Sequence, residues 1–327
     1  MLPRYCGRLF EKGDCIMKKF LTLLLALAMT MSLAACGSSE ETTEETTDGD
    51  TAAEETTDYA SMSDEDLKAA ITTVSEGTLT VATSPDFAPY EFYAIGEDGQ
   101  ATLAGFEMSL AQYIADYLGL TLEVVPMDFD GTLMELQNKS VDLGMAGYSP
   151  KPERENIMDF SEIFYTGGQS FVTTQDKADL FTSLEDTNKA EYSIGAQTGS
   201  IQVDLAQTNS PDAELIQLPK VTDVITDLLA GNLDGAYIET VVAQTYAQNY
   251  PELNVLLDVP YDQEGSVVGV SKGNAALLEG VNRAIAACLA DGSMDEFVTE
   301  ANELASGETY EGLLDENGQV AETPAEG

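Results

Sequence analysis

Residues 120–147, LTLEVVPMDFDGTLMELQNKSVDLGMAG, run from one short apolar stretch to another through a segment of helical spacing. LTLEVVPM is rich in β-branched residues and predicts a strand, TLMELQNKS predicts a short helix, and VDLGMA predicts a buried strand. Ahead of them TLTVATS, residues 78–84, predicts another strand. Between these strands Phe106, Leu110, Tyr113, Ile114, Tyr117 and Leu118 keep helical spacing, and Gly119 is placed to end that helix. The result is a βαβαβ unit, so the fold class is α/β.

A second unit repeats the plan. YSIGAQTG, AELIQLP and LDGAYIE read as strands, and IQVDLAQ, VTDVITDLLAG and TVVAQTYAQNY as helices. LQNKSVD (136–142) and LLAGNLD (228–234) both pass from a helix end through a turn into a buried strand. Two lobes of like construction follow, with SVVGVSK and the amphipathic AALLEGVNRAIAACLA returning to complete the first.

Ligands of open α/β sheets sit at the carboxyl ends of the strands, so the segments after each strand carry the candidate site. SPDFAPYEF places Phe87 and Tyr90 in a loop, and MDFDGTL places Phe129 in another. These rings either wall an apolar slot or pack beneath the loops as a satellite cluster. After the third strand, Pro152 suits the first position of a helix through Met158, which puts Arg154 in its first turn, against the helix dipole. A guanidinium there either captures a carboxylate bidentately, aided by the amides of Gly147 and the helix start, or pairs with Glu155 or Asp159. In the second unit Gly199 and Ser200 form another anion-friendly helix start. Glu239 either receives an ammonium or caps the next helix. Together these groups match an α-amino acid's carboxylate, ammonium and side chain.

Composition narrows the function classes. The 327 residues are 43% apolar and 8% aromatic, a globular composition long enough for two domains. Fourteen Lys+Arg against 58 Asp+Glu give a formal charge of −44 without any basic cluster, so nucleic acid is not an expected partner. With no histidine, the commonest general base and metal ligand are both missing, and no metal or cofactor is expected.

The leading segment has an export design: Met17, Lys18 and Lys19, an apolar run from Phe20 to Met31, then Leu33-Ala34-Ala35-Cys36. Met17 is the expected initiator, and the apolar run is shorter than the ~20 residues a spanning helix needs. LAAC followed by Gly37-Ser38-Ser39 resembles a bacterial lipobox, which implies lipidation at Cys36. Cys6 and Cys15 lie upstream, leaving Cys288 as a buried core thiol without a disulfide partner. Glu40 to Asp66 is acidic and poor in large apolar residues, and reads as a solvated tether.

From about residue 77 to 306 the chain resembles the family 3 extracellular solute-binding proteins, the amino-acid receptors of ABC importers. FAPYEF, GFEMSLAQYIADYLGL, MDFDGTLMELQNKSVDLGMAG, SPKPERENIMDFSEIFY and LDGAYIET carry the resemblance, in that order. It implies two Rossmann-like lobes joined by a two-strand hinge, the periplasmic-binding-protein-like type II architecture, crossing near Gly167–Val172 and Val259–Gln263. The expected organisation is an upstream extension and lipoprotein signal peptide (1–36), tether (37–66), first lobe (67–168 and 264–306), second lobe (169–263) and acidic tail (307–327).

In this family Phe87 and Phe129 match the rings that sandwich the ligand side chain. Gly147 and Ser149 match its hydrogen-bonding residues, Arg154 the arginine on the α-carboxylate, Ser200 the loop beside that carboxylate, and Glu239 the acid on the α-amino group. Ile201 stands where a threonine is common. Ser84 stands where receptors for lysine-like ligands carry an aspartate, so Ser84, Tyr90 and Gln197 suit a polar uncharged or small ligand. The implied function is a monomeric, non-enzymatic lipoprotein on the outer face of the cell membrane, periplasmic where an outer membrane exists. Its partners are a free amino acid and an ABC permease. The alternative is a cyclohexadienyl or arogenate dehydratase on the same fold.

Overall fold

The computed structural model describes residues 57–306, apart from 97–98 and 263–264. The signal segment, Cys36, most of the tether and the tail from 307 lie outside the described residues.

The described residues begin inside the stretch expected to be tether. Helix α1 (Asp64–Ala70) is capped by Ser63, whose hydroxyl accepts from the Asp66 amide at 3.2 Å, and three acids occupy its first turn. Local capping and a cation supplied from far along the chain, Arg283, outweigh the poverty of apolar residues. That arginine donates to the carbonyls of Tyr59, Ala60 and Met62 and to the carboxylates of Asp64 and Glu279.

Strand β1 (Thr78–Thr83) is buried along its length. Two elements absent from the sequence reading follow the Ser84 turn: β2 (Asp86–Phe87) and β3 (Glu91–Ile95), which join β4 (Ala101–Ala104) in a small antiparallel sheet. Gly105 then turns the chain at φ 123°, where an added Cβ would sit 2.1 Å from the Tyr90 carbonyl oxygen. Helix α2 (Phe106–Leu118) ends at Gly119 in the left-handed region, as its position predicts. Next come β5 (Thr121–Pro126), α3 (Phe129–Asn138), β6 (Leu143–Gly144) and β7 (Met158–Phe160).

The second lobe holds β8 (Gln169–Thr174), β9 (Ser193–Gln197), α4 (Ile201–Asn209), β10 (Glu214–Leu218), α5 (Val221–Leu229), β11 (Gly235–Glu239), α6 (Thr240–Asn249) and β12 (Leu253–Asp258). The chain then returns through β13 (Gly269–Ser271), α7 (Ala275–Asp291) and α8 (Ser293–Ala305). Among the described residues there are two five-stranded sheets, ordered β5-β1-β6-β13-β7 and β10-β9-β11-β8-β12. Each has a parallel core in which the first strand of its βαβαβ unit lies between the other two.

The connections between lobes run antiparallel and bond to each other. Ser161 donates to Val268, Phe164 to Ser266, Ser266 back to Tyr165 at 2.7 Å, and Val259 to Gln169. The two connections meet at the Tyr165–Ser266 bridge, just ahead of the expected Gly167, and residues from Gln169 onward pair with β11 and β12 in the second sheet. Leu79, Val81, Ile114, Val270, Ile285 and the free Cys288 are fully or almost fully buried in one core.

Candidate functional site

Arg154 lies in a 3-10 turn, Pro152–Asn156, shorter than the expected helix because Met158 already pairs with Ser271 of β13. A single turn carries little macrodipole, so the cost of this cation is burial rather than helix position. Arg154 is 5% exposed. Its Nη1 donates to the Ser149 carbonyl (3.3 Å) and its Nη2 crosses to the second lobe to reach the Gly199 carbonyl (3.0 Å). The guanidinium lies over the rings of Phe129 and Tyr148, 5.4 and 5.6 Å from their centroids. Neither expected acid partners it: Asp159 accepts from Lys272 Nζ at 2.6 Å and from the Gly273 amide at 2.7 Å. Among the described residues no carboxylate forms an ion pair with Arg154. Burial pushes its pKa below the ordinary arginine value, the signature of a cation short of an anion.

Gly199 and Ser200 open α4 opposite. The Ser200 hydroxyl donates to the Gln197 carbonyl at 2.7 Å, so the anion-facing groups on this side are the first amides of α4. Phe87 lies in β2 and Phe129 is the first residue of α3, rather than both sitting in loops. Each of the two readings of the aromatic residues holds in part: Phe87 and Phe129 line cavity walls, while Tyr90 also packs on Phe106 with ring centroids 4.3 Å apart.

Gly147 has φ 62°, and a Cβ there would meet the Phe87 ring at 2.6 Å. Its amide donates to both oxygens of Glu107, at 3.1 and 3.2 Å, which leaves the carbonyl as the group it can offer to a ligand. Glu107 in turn lies within hydrogen-bonding reach of Glu91, and both are fully buried. Among the described residues no donor reaches the oxygens of Glu91; burial, then the charge of Glu107, holds its pKa well above the ordinary value, and burial pushes Glu107 up to about 7.

Glu239 ends β11 and caps α6, accepting from Val242 N–H (2.9 Å) and Gly168 N–H (3.3 Å). The carboxylate caps α6 and also lines the cleft, so its capping role does not remove it from the candidate site. Burial pushes its pKa up to about 7 against these donors. A Cβ at Gly167 would lie 2.1 Å from Glu239 Oε1. Gly167→Ala should thus cost about 1–3 kcal/mol by overpacking. Urea unfolding would show the lower midpoint; an unchanged midpoint would mean the carboxylate has room to move.

The lobes are closed on each other. Among the described residues two small cavities lie between them, each of about 10 Å³, room for roughly one water. Phe87, Gly147 and Ser149 line both; Phe129, Arg154, Gln197 and Ser200 line one, and Tyr90 and Glu239 the other. Ser84 lines neither: its hydroxyl donates to Asp86 at 2.7 Å. Gln169, Gln202, Tyr261 and Ser266 also line the cleft and were not singled out as site residues in the sequence reading. They reach the cleft through the interlobe crossing or from the second residue of α4, as in the Gln202–Gln169 amide pair at 2.8 Å. Asp86 was missed as well, one acid among many.

Among the described residues no group of three or more His, Cys, Asp or Glu could hold a metal ion, and no helix is long and apolar enough to cross a membrane.

Known proteins share this sequence and shape. Residues 79–300 match the family model of the bacterial extracellular solute-binding proteins, family 3. The arginine-binding extracellular protein ArtP of Bacillus subtilis (strain 168) is 29% identical over 273 residues, 82% of this chain and 92% of that protein. The L-arginine-bound crystal structure of AbpA, an amino acid ABC transporter substrate-binding protein of Streptococcus pneumoniae, is 31% identical with a TM-score of 0.68, covering 75% of this chain and 100% of that one. Cyclohexadienyl dehydratase of Pseudomonas aeruginosa is 26% identical over 180 residues, 55% of this chain and 66% of the enzyme. With a family match running over well more than half its length, the chain belongs to the bacterial extracellular solute-binding proteins, family 3.

Proposed function

We propose that the protein is the extracellular substrate-binding component of an ABC importer, capturing an α-amino acid between its lobes and delivering it to the permease. The carrying observation is Arg154, a buried cation that bridges both lobes and has no carboxylate partner among the described residues. In this reading its unused N–H groups and the first amides of α4 take the α-carboxylate. Glu239 and the Gly147 carbonyl take the ammonium, and the side chain passes between Phe87 and Phe129 beside Gln197. Because the closed cleft leaves room for about one water per cavity, a ligand enters only when the lobes part.

The proposed boundaries are the first lobe at 67–168 and 264–306 and the second at 169–263, with the tether ending near residue 58, ahead of Tyr59. Lipidation at Cys36 would hold a monomer on the outer face of the membrane. We read the protein as a binder rather than an enzyme. A dehydratase needs an acid free to donate to a leaving hydroxyl. Glu239, which accepts from two backbone amides, is assigned in this reading to the ammonium instead.

Thermal-shift screening of the purified protein against the common amino acids and prephenate-like carboxylates tests this. One or a few amino acids should raise the melting temperature by several degrees. Stabilisation by prephenate-like compounds alone would favour the dehydratase and overturn the receptor reading.

A further inference from the structure

The expectation against a basic side chain rests on Ser84 lacking charge, yet the charge is only two residues away. Asp86 is buried, and its carboxylate is fixed from three sides: Ser84 Oγ donates to Oδ1 at 2.7 Å, and the Val221 amide at 2.6 Å and Gln197 Nε2 at 3.2 Å donate to Oδ2. The same Gln197 Nε2 donates to the Pro219 carbonyl at 3.2 Å. A carboxylate accepting these bonds and a main-chain carbonyl can only accept, so Nε2 must face them whichever way the amide is drawn. Both amide hydrogens of Gln197 are used, and Oε1 is the polar atom it has left for the cavity it shares with Phe87, Phe129 and Arg154.

Resting on the reading of the cleft as an α-amino-acid site, we propose that Asp86 is a positioning residue that locks Gln197 with its oxygen toward the ligand, selecting amino acids whose side chain ends in N–H donors. Guanidinium, ureido and carboxamide ends all qualify. A carboxylate end meets an acceptor backed by a buried acid and is rejected by repulsion, and an apolar end leaves Oε1 unpaired. Asp86 need not touch the ligand to do this. It sets the direction of the amide, as a supporting residue orients a binding group.

Isothermal titration of the purified protein with arginine, citrulline, glutamine, glutamate and methionine tests the selection. At least one N–H-terminated amino acid should bind about 100-fold more tightly than glutamate and about 10-fold more tightly than methionine. Asp86→Asn frees the amide to turn, so the ratio of glutamine to glutamate affinity should fall by about 10-fold, whereas loss of a merely structural contact would weaken both alike. Gln197→Leu, which keeps Asp86 in place, should erase the advantage over methionine. Glutamate or methionine binding as tightly as every N–H-terminated ligand overturns the proposal, as does an unchanged ratio in both variants. Failure of every amino acid to bind overturns the receptor reading itself, and this inference with it.

Discussion

Arg154→Met should abolish amino-acid binding while leaving the ligand-free protein at least as stable as the parent. The two halves of this result come from one fact: Arg154 is buried between lobes with two carbonyl acceptors and no anion among the described residues. Removing one partner of a buried charge pair costs about 2–5 kcal/mol, mostly because the remaining charge is left uncompensated. Here the remaining charge would be the ligand's carboxylate, so affinity should fall about 100-fold or more. In the free protein the uncompensated charge is the arginine itself, and methionine removes it while filling the space between Phe129 and Tyr148. Titration calorimetry and melting curves of the free variant measure the two halves. Retained affinity would take Arg154 out of the site, and a collapse in free-state melting temperature would make it a structural residue.

The second large effect is on pH. Acidification usually unfolds proteins by protonating paired carboxylates, but several acids here are shifted the other way. Burial pushes Asp86 up to about 6 and Glu239 up to about 7, against ordinary values of 3.8 and 4.5. Burial, then the charge of Glu107, pushes Glu91 well above its ordinary value. The folded state therefore keeps protons that the unfolded chain has released by about pH 5. Stability from these groups is fully present below the unfolded values and is lost as pH rises through about 6 to 7. A shift of two or more units corresponds to about 3 kcal/mol per group. Relief of self-repulsion in a chain of formal charge −44 acts in the same direction. Surface acids such as Asp186 and Asp291 are shifted down and oppose the trend, but solvent screens them.

The melting temperature should accordingly be higher at pH 5.5 than at pH 8 by at least about 5 °C, with a flatter dependence in Glu239→Gln. A melting temperature that falls on acidification would show that these acids are ionised in the folded state at little cost.

The βαβαβ core of each lobe was legible in the sequence because its signal is periodic and local. β1, α2, β5 and α3 follow from alternation, helical spacing and a terminal glycine, all read within a few residues. The β2–β3–β4 sheet, α8 and the interlobe crossing were not, because their pairings are made across the fold: Phe164 and Tyr165 meet Ser266 about a hundred residues later. The same division holds in the site. Arg154 stands out as a rare cation in an acidic chain, and the family pattern marks Phe87, Phe129 and Glu239 by position. Asp86 and Glu107 are acids among 58, and nothing local separates a fully buried carboxylate from a solvated one. Ser84 is marked by its place in the family pattern, but its hydroxyl donates to Asp86, a contact the pattern does not announce.

The Arg283 clamp has a mechanical consequence. Four bonds from one side chain on α7 gather residues Tyr59 to Asp64 onto the first lobe. A pull applied through the chain ahead of Tyr59 would therefore pass into α7, in the first lobe, before it reached the crossing between the lobes.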